Sequence, residues 1–216
     1  MRSPGRLGQV LAQKARSLGA TFLRAQVRRI SRTGDQWRVQ WNGDGVTSDR
    51  VVVCLGVWSP ELLAETSLRI PLMAERGYHV EFADPGIEIA NSVMDMDAKV
   101  VASSMENGVR VAGQAEFAPV DAPPSERRQN ILRDVALAAF PGLKAQRPRY
   151  WMGRRPSFPD SLPMLGEVAG EPGLFLNFGH SHYGLMMAPK SGDLVAQMIG
   201  RERPNIDMEP YAPTRF

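Results

Sequence analysis

The feature that most constrains the fold is a segment near the C-terminus, residues 174–199, in which an apolar run leads through a glycine turn into a helical pattern. The run Leu174–Phe178 indicates a strand, Gly179 indicates a turn, and the pattern from Tyr183 to Ile199 indicates a helix. The N-terminus of a helix presents unpaired backbone N–H groups and a partial positive charge. A strand, a turn and a helix in this order favour a mixed α/β fold and often bring backbone donors beside an anion or a cofactor.

The first seventy residues or so carry a helical pattern, a hairpin signal and two strand-like runs. The spacing of apolar residues predicts a helix over residues 4–18, and residues 20–30 are typical of a strand. The sequence "NGDG" at residues 42–45 predicts a hairpin turn. The β-branched run in "DRVVVCLG", residues 49–56, predicts a strand buried on both faces, with Cys54 as a small buried apolar residue.

The residue pattern changes at Pro71, after which several strand-like segments follow one another. Residues 71–82, 98–105 and 109–118 are typical of strands, and "ENG" between the last two predicts a hairpin. A helix is predicted over the stretch that Ser125 can cap and that Pro141 and Gly142 end. These patterns indicate an antiparallel sheet in a second lobe.

A proline-rich segment at residues 151–166 presents two adjacent arginines, Arg154 and Arg155, directly before Pro156. We interpret it as a stiff loop. An arginine held in this way suits the recognition of a carboxylate, because a guanidinium makes a planar bidentate pair with it. The alternative interpretation is a surface loop with solvated arginines.

Composition narrows the classes of function. The net charge is +3 with dispersed basic residues, which argues against nucleic-acid binding. A single cysteine cannot form an internal disulfide, so we expect a reducing compartment, either the cytoplasm or the inner face of the membrane with peripheral attachment. No apolar run is long enough for a transmembrane helix. His180 and His182 have no third histidine or cysteine nearby, so no metal site is expected.

Several motifs together resemble one family, the FAD-dependent D-amino-acid oxidase superfamily, and in particular its bacterial D-amino-acid dehydrogenase branch. The similar segments are, in chain order, "VVVCLGVWSPELL", "IPLMAERGYHVEF", "NGVRVAGQAEFAPVDAPPSERR", "WMGRRPSFPDSLPMLG", "FLNFGHSHYGLMMAPKSGDLVAQMIG" and "PNIDMEPYAPTRF". The resemblance covers nearly the whole chain from about Gly5. It implies a partial FAD-binding domain of Rossmann-like type over residues 1–70 and 154–216, and a substrate domain with an antiparallel sheet over residues 71–153.

The resemblance also implies roles for individual residues. Arg155 would bind the carboxylate of the substrate, whereas Arg154 departs from the usual apolar or aromatic residue of the family and is either a second anion contact or a solvated side chain. The residues that would border the isoalloxazine ring are Gly179, His180, His182, Tyr183, Gly184 and Leu185. Gly56 and Trp58 would lie along the FAD, and Val27 near its adenine. Tyr78, His79 and Glu116 would face the substrate pocket as catalytic residues.

One family feature is absent from the sequence. None of the 20 glycines forms the Gly-x-Gly-x-x-Gly turn that grips the ADP half of FAD. This absence predicts a fragment of a longer enzyme, a shortened reading frame or one half of a split enzyme. It also predicts self-association, or a partner segment that completes the cofactor site.

The function that the resemblance implies is the oxidation of a D-amino acid at its C–N bond. The imino acid would be hydrolysed to a 2-oxo acid and ammonia, and the electrons would pass to a quinone or to oxygen. The rival substrates are glycine or sarcosine and D-proline or hydroxyproline. From another class, the rival is a non-catalytic remnant or binding module that has lost its flavin.

Overall fold

The computed structural model describes residues 2–216, which form two compact units. The first unit contains residues 2–24 and Arg76–Gly153, and the second unit contains Ala25–Glu75 and Arg154–Phe216. The sequence-based division at residues 70/71 and 153/154 concerns functional domains and stays a prediction.

The chain contains four α-helices and eleven strands among the described residues. The helices are α1 (Pro4–Ser17), α2 (Ser59–Leu62), α3 (Glu126–Ala139) and α4 (Gly184–Ile199). The strands are β1 (Arg29–Thr33), β2 (Gln36–Trp41), β3 (Asp44–Ser48), β4 (Val51–Val53), β5 (Met73–Phe82), β6 (Val93–Asp95), β7 (Val100–Met105), β8 (Gly108–Phe117), β9 (Pro148–Ser157), β10 (Met164–Glu167) and β11 (Leu174–Phe178). No helix within residues 2–216 is long and apolar enough to cross a membrane.

Two three-stranded sheets lie in the second unit. In the sheet of order β10-β11-β4, β11 runs parallel to β4 and antiparallel to β10. The sheet β1-β2-β3 is antiparallel throughout, and the predicted hairpin turn joins Trp41 to Asp44. A buried cluster that includes Trp37, Leu174 and Phe178 fills the core of this unit.

The sheet of the other lobe has five strands in the order β6-β7-β8-β5-β9. The predicted hairpin between β7 and β8 is present, with Met105 paired to Gly108. Helix α3 contributes fully buried Leu132 and Ala136 to the core of the first unit, and the Ser125 hydroxyl caps its N-terminus by accepting from the N–H of Arg128. The mixed α/β fold with an antiparallel sheet is therefore confirmed.

Three local expectations are wrong. Strand β4 is buried on one face only: Val53 is 2% exposed, whereas Val52 and Cys54 are exposed. The reason is that the described residues cover only one face of β4, the face that carries Val53. The strand expected over residues 20–30 begins only at Arg29, because that is where pairing with β2 starts.

The third difference concerns the two arginines. Residues 151–157 belong to β9 and are not a loop. Proline is tolerated at Pro156 because β9 is the last strand of its sheet, and an edge strand leaves one side of its backbone without ladder partners. Adjacent residues of a strand point to opposite faces, so β9 separates the side chains of Arg154 and Arg155.

Candidate functional site

The predicted carboxylate anchor, Arg155, is held by a glutamate that the sequence analysis did not single out. Its Nη1 donates to Oε1 of Glu75 at 3.1 Å, and the side chain of Arg155 is 26% exposed while that of Glu75 is 11% exposed. Within residues 2–216 the guanidinium has no second ion-pair partner. Because a guanidinium carries five N–H donors, most of this fork is left to bind an anion.

The same carboxylate reaches the turn after β11. Nε2 of His182 lies 2.9 Å from both oxygens of Glu75, and the hydroxyl of Ser157 donates to Oε2 at 3.2 Å. The hydroxyls of Ser157 and Ser181 are 3.0 Å apart. Glu75 therefore joins the end of β9 to the turn that carries His182.

The turn between β11 and α4 contains positive φ angles, which residues with a side chain rarely adopt. Gly179 has φ +88°, and a Cβ at this position would overlap the ring of Phe158. Ser181 also has a positive φ of 49°, and its N–H donates to the carbonyl of Pro156 at 3.0 Å. No side chain caps the N-terminus of α4 at Tyr183. The first N–H groups of α4 are therefore placed to meet an anionic or carbonyl oxygen.

His180, the first histidine of this turn, has a buried nitrogen. Its Nε2 has no hydrogen-bond partner among residues 2–216, and burial lowers the pKa of its ring. An unpaired buried polar atom costs free energy, so this nitrogen is a position where a polar atom of a ligand fits.

Two of the remaining predicted cofactor residues, Val27 and Trp58, line a cleft of ≈ 340 Å³ in the second unit. Its lining residues are Ala25, Gln26, Val27, Arg28, Leu55, Trp58, Glu61 and Leu62. Gly56, with φ +57°, opens the short turn that carries Trp58, whose side chain is half exposed. The guanidinium of Arg154 lies 6.0 Å from the ring centre of Trp58, so this arginine faces an aromatic side chain.

The predicted catalytic residues of the other lobe belong to the first unit, where Tyr78 and Glu116 meet. The hydroxyl of Tyr78 donates to Oε2 of Glu116 at 2.6 Å and accepts from the N–H of Ser125 at 3.1 Å. Arg128 donates to the other oxygen of Glu116 at 3.0 Å. The bond from Tyr78, followed by that of Arg128, holds the pKa of Glu116 below its usual range.

Buried Arg76 completes this network. Its Nε lies 3.4 Å from Oε2 of Glu116, an ion-pair distance without hydrogen-bond geometry, and its Nη2 donates to the carbonyl of Pro123. Tyr78 is 2% exposed and lies in the core of the unit. The network ties the N-terminus of α3 to β5 and β8, and a catalytic role for Tyr78 and Glu116 stays a prediction.

His79 follows Tyr78 on β5 and therefore points to the opposite face of the strand. Its ring stacks on Trp151 with centroids 4.9 Å apart. Burial, aided by the positive charge of Arg110, lowers its pKa to about 4. The ring is neutral at pH 7.

Sequence reasoning missed Glu75 and Ser157. The signal for Glu75 was present: the adjacent charges Glu75 and Arg76 interrupt a strand whose other residues are mostly buried. A charge is rarely buried unless it is paired, so each predicts a partner. The partners themselves come from distant segments and could not be read from spacing.

The residues predicted to border a flavin fit such a group. A large ring with an apolar face and carbonyl groups at one edge requires exposed apolar surface, close backbone approach and N–H donors. The second unit supplies exposed Trp58, Tyr183 and Leu185, the Gly179 turn, and the uncapped N-terminus of α4.

Comparison with known proteins gives consistent results. The model of the DAO family, described as FAD dependent oxidoreductase, matches residues 1–198. A D-amino-acid oxidase of Bradyrhizobium diazoefficiens is 36% identical over 220 residues, which cover 100% of this chain and 52% of that protein. The chain thus spans about half the length of this curated relative.

Solved structures share the fold. A glycine oxidase from Geobacillus kaustophilus superposes with a TM-score of 0.86 at 23% identity, over 97% of this chain and 57% of that one. An L-proline dehydrogenase from P. horikoshii superposes with a TM-score of 0.82 at 22% identity, over 96% of this chain and 58% of that one.

Proposed function

Because this chain belongs to the DAO family of FAD-dependent oxidoreductases, we propose that it forms the substrate-anchoring part of an enzyme that oxidises the C–N bond of D-amino acids. FAD is the cofactor of the family. The choice of a D-amino acid is supported by the 36% identical relative, which is a D-amino-acid oxidase. The division into a partial FAD-binding domain and a substrate domain is part of the proposal.

The observation that carries the proposal is that Arg155 is held by one contact and keeps other N–H groups available. A single Nη1 contact to Glu75 fixes the guanidinium, and the side chain remains about a quarter exposed. Arg155 can therefore bind a substrate carboxylate through its other N–H groups without breaking this contact. Binding of the carboxylate restrains the position of Cα, and such orientation supplies much of the rate in a reaction between two bound groups.

The turn after β11 and the start of α4 would hold the reactive ring of the cofactor. The chemistry that FAD would supply when bound is a hydride acceptor; oxidation of the substrate at Cα would give an imino acid, which water hydrolyses to a 2-oxo acid and ammonia. The part of this chain is to orient the carboxylate with Arg155 and to offer the first N–H groups of α4 to a carbonyl edge. Half-exposed Trp58 and the cleft beside Val27 would contact the rest of the cofactor.

The proposal is tested by flavin reduction without oxygen. The chain is supplied with FAD alone, and in parallel it is joined to the N-terminal half of the Bradyrhizobium relative. D-alanine and D-proline are compared with L-alanine, glycine and sarcosine, and the reduced flavin is then exposed to oxygen or to a quinone. If glycine or sarcosine bleaches the flavin and D-alanine does not, the substrate is glycine or sarcosine and not a D-amino acid. If the flavin is bound but no amino acid bleaches it, the non-catalytic alternative is favoured.

Arg155→Ala should lower kcat/KM for D-alanine by about two to four orders of magnitude. It removes two charge-assisted hydrogen bonds of roughly 1.5–3 kcal/mol each, and about 1.4 kcal/mol corresponds to a tenfold change. Arg155→Lys keeps a charge beside Glu75 but loses the bidentate geometry, so it should show a smaller loss of the same kind. Arg154→Ala is the matched control and should lose much less, because it lies on the other face of β9.

The flavin content of each variant is measured first, since the comparison requires equal loading. If Arg155→Ala reduces its flavin as fast as the parent, the carboxylate anchor is wrongly assigned.

A further inference from the structure

Glu75 is a buried charge with partners on two separate segments of the second unit. Its side chain is 11% exposed, and its carboxylate contacts Arg155 and Ser157 on β9 and His182 on the turn before α4. Surface ion pairs of this length are common and contribute little. A carboxylate taken out of water and shared by three side chains fixes the geometry of each of them.

The hydrogen-bond roles within the cluster follow from its chemistry. An ionised carboxylate only accepts, so Nε2 of His182 must carry a hydrogen and Ser157 must direct its hydroxyl hydrogen to Glu75. The oxygen of Ser157 is then free to accept from the hydroxyl of Ser181, 3.0 Å away. In a neutral ring of His182, Nδ1 is the nitrogen that keeps a lone pair.

The acceptor capacity of Glu75 is largely used by these contacts. Oε1 faces Arg155 and His182, and Oε2 faces Ser157 and His182. Little of the carboxylate is left for a ligand, whereas Arg155 uses one nitrogen and is more exposed. Glu75 is therefore placed to hold its neighbouring side chains, whereas the guanidinium of Arg155 is placed to bind a ligand.

We propose that Glu75 is a positioning residue that fixes the guanidinium of Arg155 and the tautomer of His182 as one unit. The functional meaning of this unit rests on the proposed function, in which Arg155 binds the substrate and the turn of His182 borders the cofactor. Glu75 then sets the orientation of the substrate anchor relative to that turn. Ser157 and Pro156 also link β9 to this turn. Glu75, however, is the group that contacts the side chains of both Arg155 and His182, so a change at Arg155 reaches the ring of His182 through its carboxylate.

The test needs no flavin and no substrate, so its failure is distinct from failure of the proposed function. The chain has three histidines, and selective ¹⁵N labelling of their rings gives three sets of nitrogen signals. The spectra are recorded at a pH at which histidine rings are neutral, and there the ring of His182 in the parent should show the pattern of an Nε2–H form. Glu75→Gln should shift both ring nitrogens toward a mixture of tautomers, because an amide can donate to Nε2 as well as accept.

A double-variant comparison separates positioning from a general loss of structure. Arg155→Gln should shift the signals of His182 in the parent and should add no further shift when Glu75→Gln is already present, because the coupling passes through Glu75. Arg154→Gln is the matched control and should leave His182 unchanged. The ring of His79, stacked on Trp151, reports the fold of the first unit, and urea unfolding of each variant reports the second unit, which carries the substitutions.

In the flavin-loaded enzyme, Glu75→Gln should slow flavin reduction by D-alanine about tenfold to a hundredfold through misplacement of the anchor. The proposal is overturned if Arg155→Gln leaves the ring of His182 unchanged. It is equally overturned if Arg155→Gln shifts that ring to the same extent in the Glu75→Gln background.

Discussion

At the scale of single residues, most of the buried polar side chains are charged groups that lie beside an opposite charge. Neighbouring Glu75 and Arg76 on β5 are both buried, and each meets opposite charge: Glu75 meets Arg155, and Arg76 meets Glu116. Removing one member of such a pair leaves the other buried without compensation, which costs more than the pair contributes. Neutral variants of similar shape, such as Glu75→Gln, therefore test these positions better than alanine does.

Stability of the fold should fall as the pH is lowered from about neutral. The pKa of His79 is about 4 in the folded protein and 6.5 ordinarily, so only the unfolded chain takes up a proton between these values. The stabilisation is complete above pH 6.5 and is lost as the pH falls toward 4, by at most about 1.4 kcal/mol per pH unit. The lowered pKa of His180 adds a slope of the same sign.

Urea unfolding at pH 7, 6 and 5 measures this slope, and His79→Gln should flatten it. An unchanged slope in that variant would show that burial of His79 does not control the acid sensitivity. His180→Gln is the companion variant, and it measures the contribution of the other histidine whose pKa is lowered.

At the scale of elements, the sequence predicted those that its local patterns determine. Strand β11 has the expected bounds, and α3 has the expected cap at Ser125, because a short apolar run between turn residues and a capping serine are local signals. The two-sided burial of β4, the strand over residues 20–30 and the loop at Arg155 were wrong. Each depends on which strands become neighbours, and sheet edges are set by distant pairing.

The turn at Gly179 should tolerate no side chain. Alanine there would adopt φ +88° and overlap Phe158, so Gly179→Ala should destabilise the chain by at least about 2 kcal/mol. Gly192→Ala is the control in the middle of α4, where a Cβ would meet nothing within 4 Å. It should stabilise by about 0.5–1 kcal/mol, because glycine is a poor helix former.

Thermal and urea unfolding of both variants make the comparison. Equal stability of Gly179→Ala and the parent would mean that the turn adopts a different backbone from the one described.

Tyr78→Phe should destabilise the first unit by about 1–3 kcal/mol. It removes the hydroxyl that joins Glu116 to the N–H of Ser125, and leaves these two partly buried groups with one partner fewer each. Combined with Glu116→Gln, the loss should be less than additive, because both changes break the same hydrogen bond. A stable Tyr78→Phe variant with lost turnover would instead support the catalytic role that the family resemblance implies.

At the scale of the whole molecule, the second unit leaves apolar surface uncovered. Strand β4 is an edge strand with Val52 38% exposed, and Leu55, Trp58 and Met186 are exposed in the same unit. The order of the motifs in the sequence was enough to recognise the family. The extent of the exposed apolar surface could not be predicted in the same way. It depends on which faces the described residues cover.

We expect the isolated chain to self-associate through this surface. Sedimentation should give a mean mass that rises with concentration, and Val52→Lys should reduce the rise because a charged edge strand opposes pairing. Ile131→Lys, at an exposed position of α3 in the first unit, is the matched control and should have little effect. A monomer that persists at all concentrations would contradict the prediction.

The exposure of Cys54 has a practical consequence for spectroscopy. It is the only thiol of the chain, and it directly precedes Leu55 in the lining of the cleft beside Trp58. A maleimide dye would therefore attach at this single position without any engineered cysteine, at a pH high enough to ionise the thiol, because desolvation by neighbouring atoms raises the pKa of Cys54. Its emission would report, molecule by molecule, when that side of the protein is filled by a cofactor or covered by another chain.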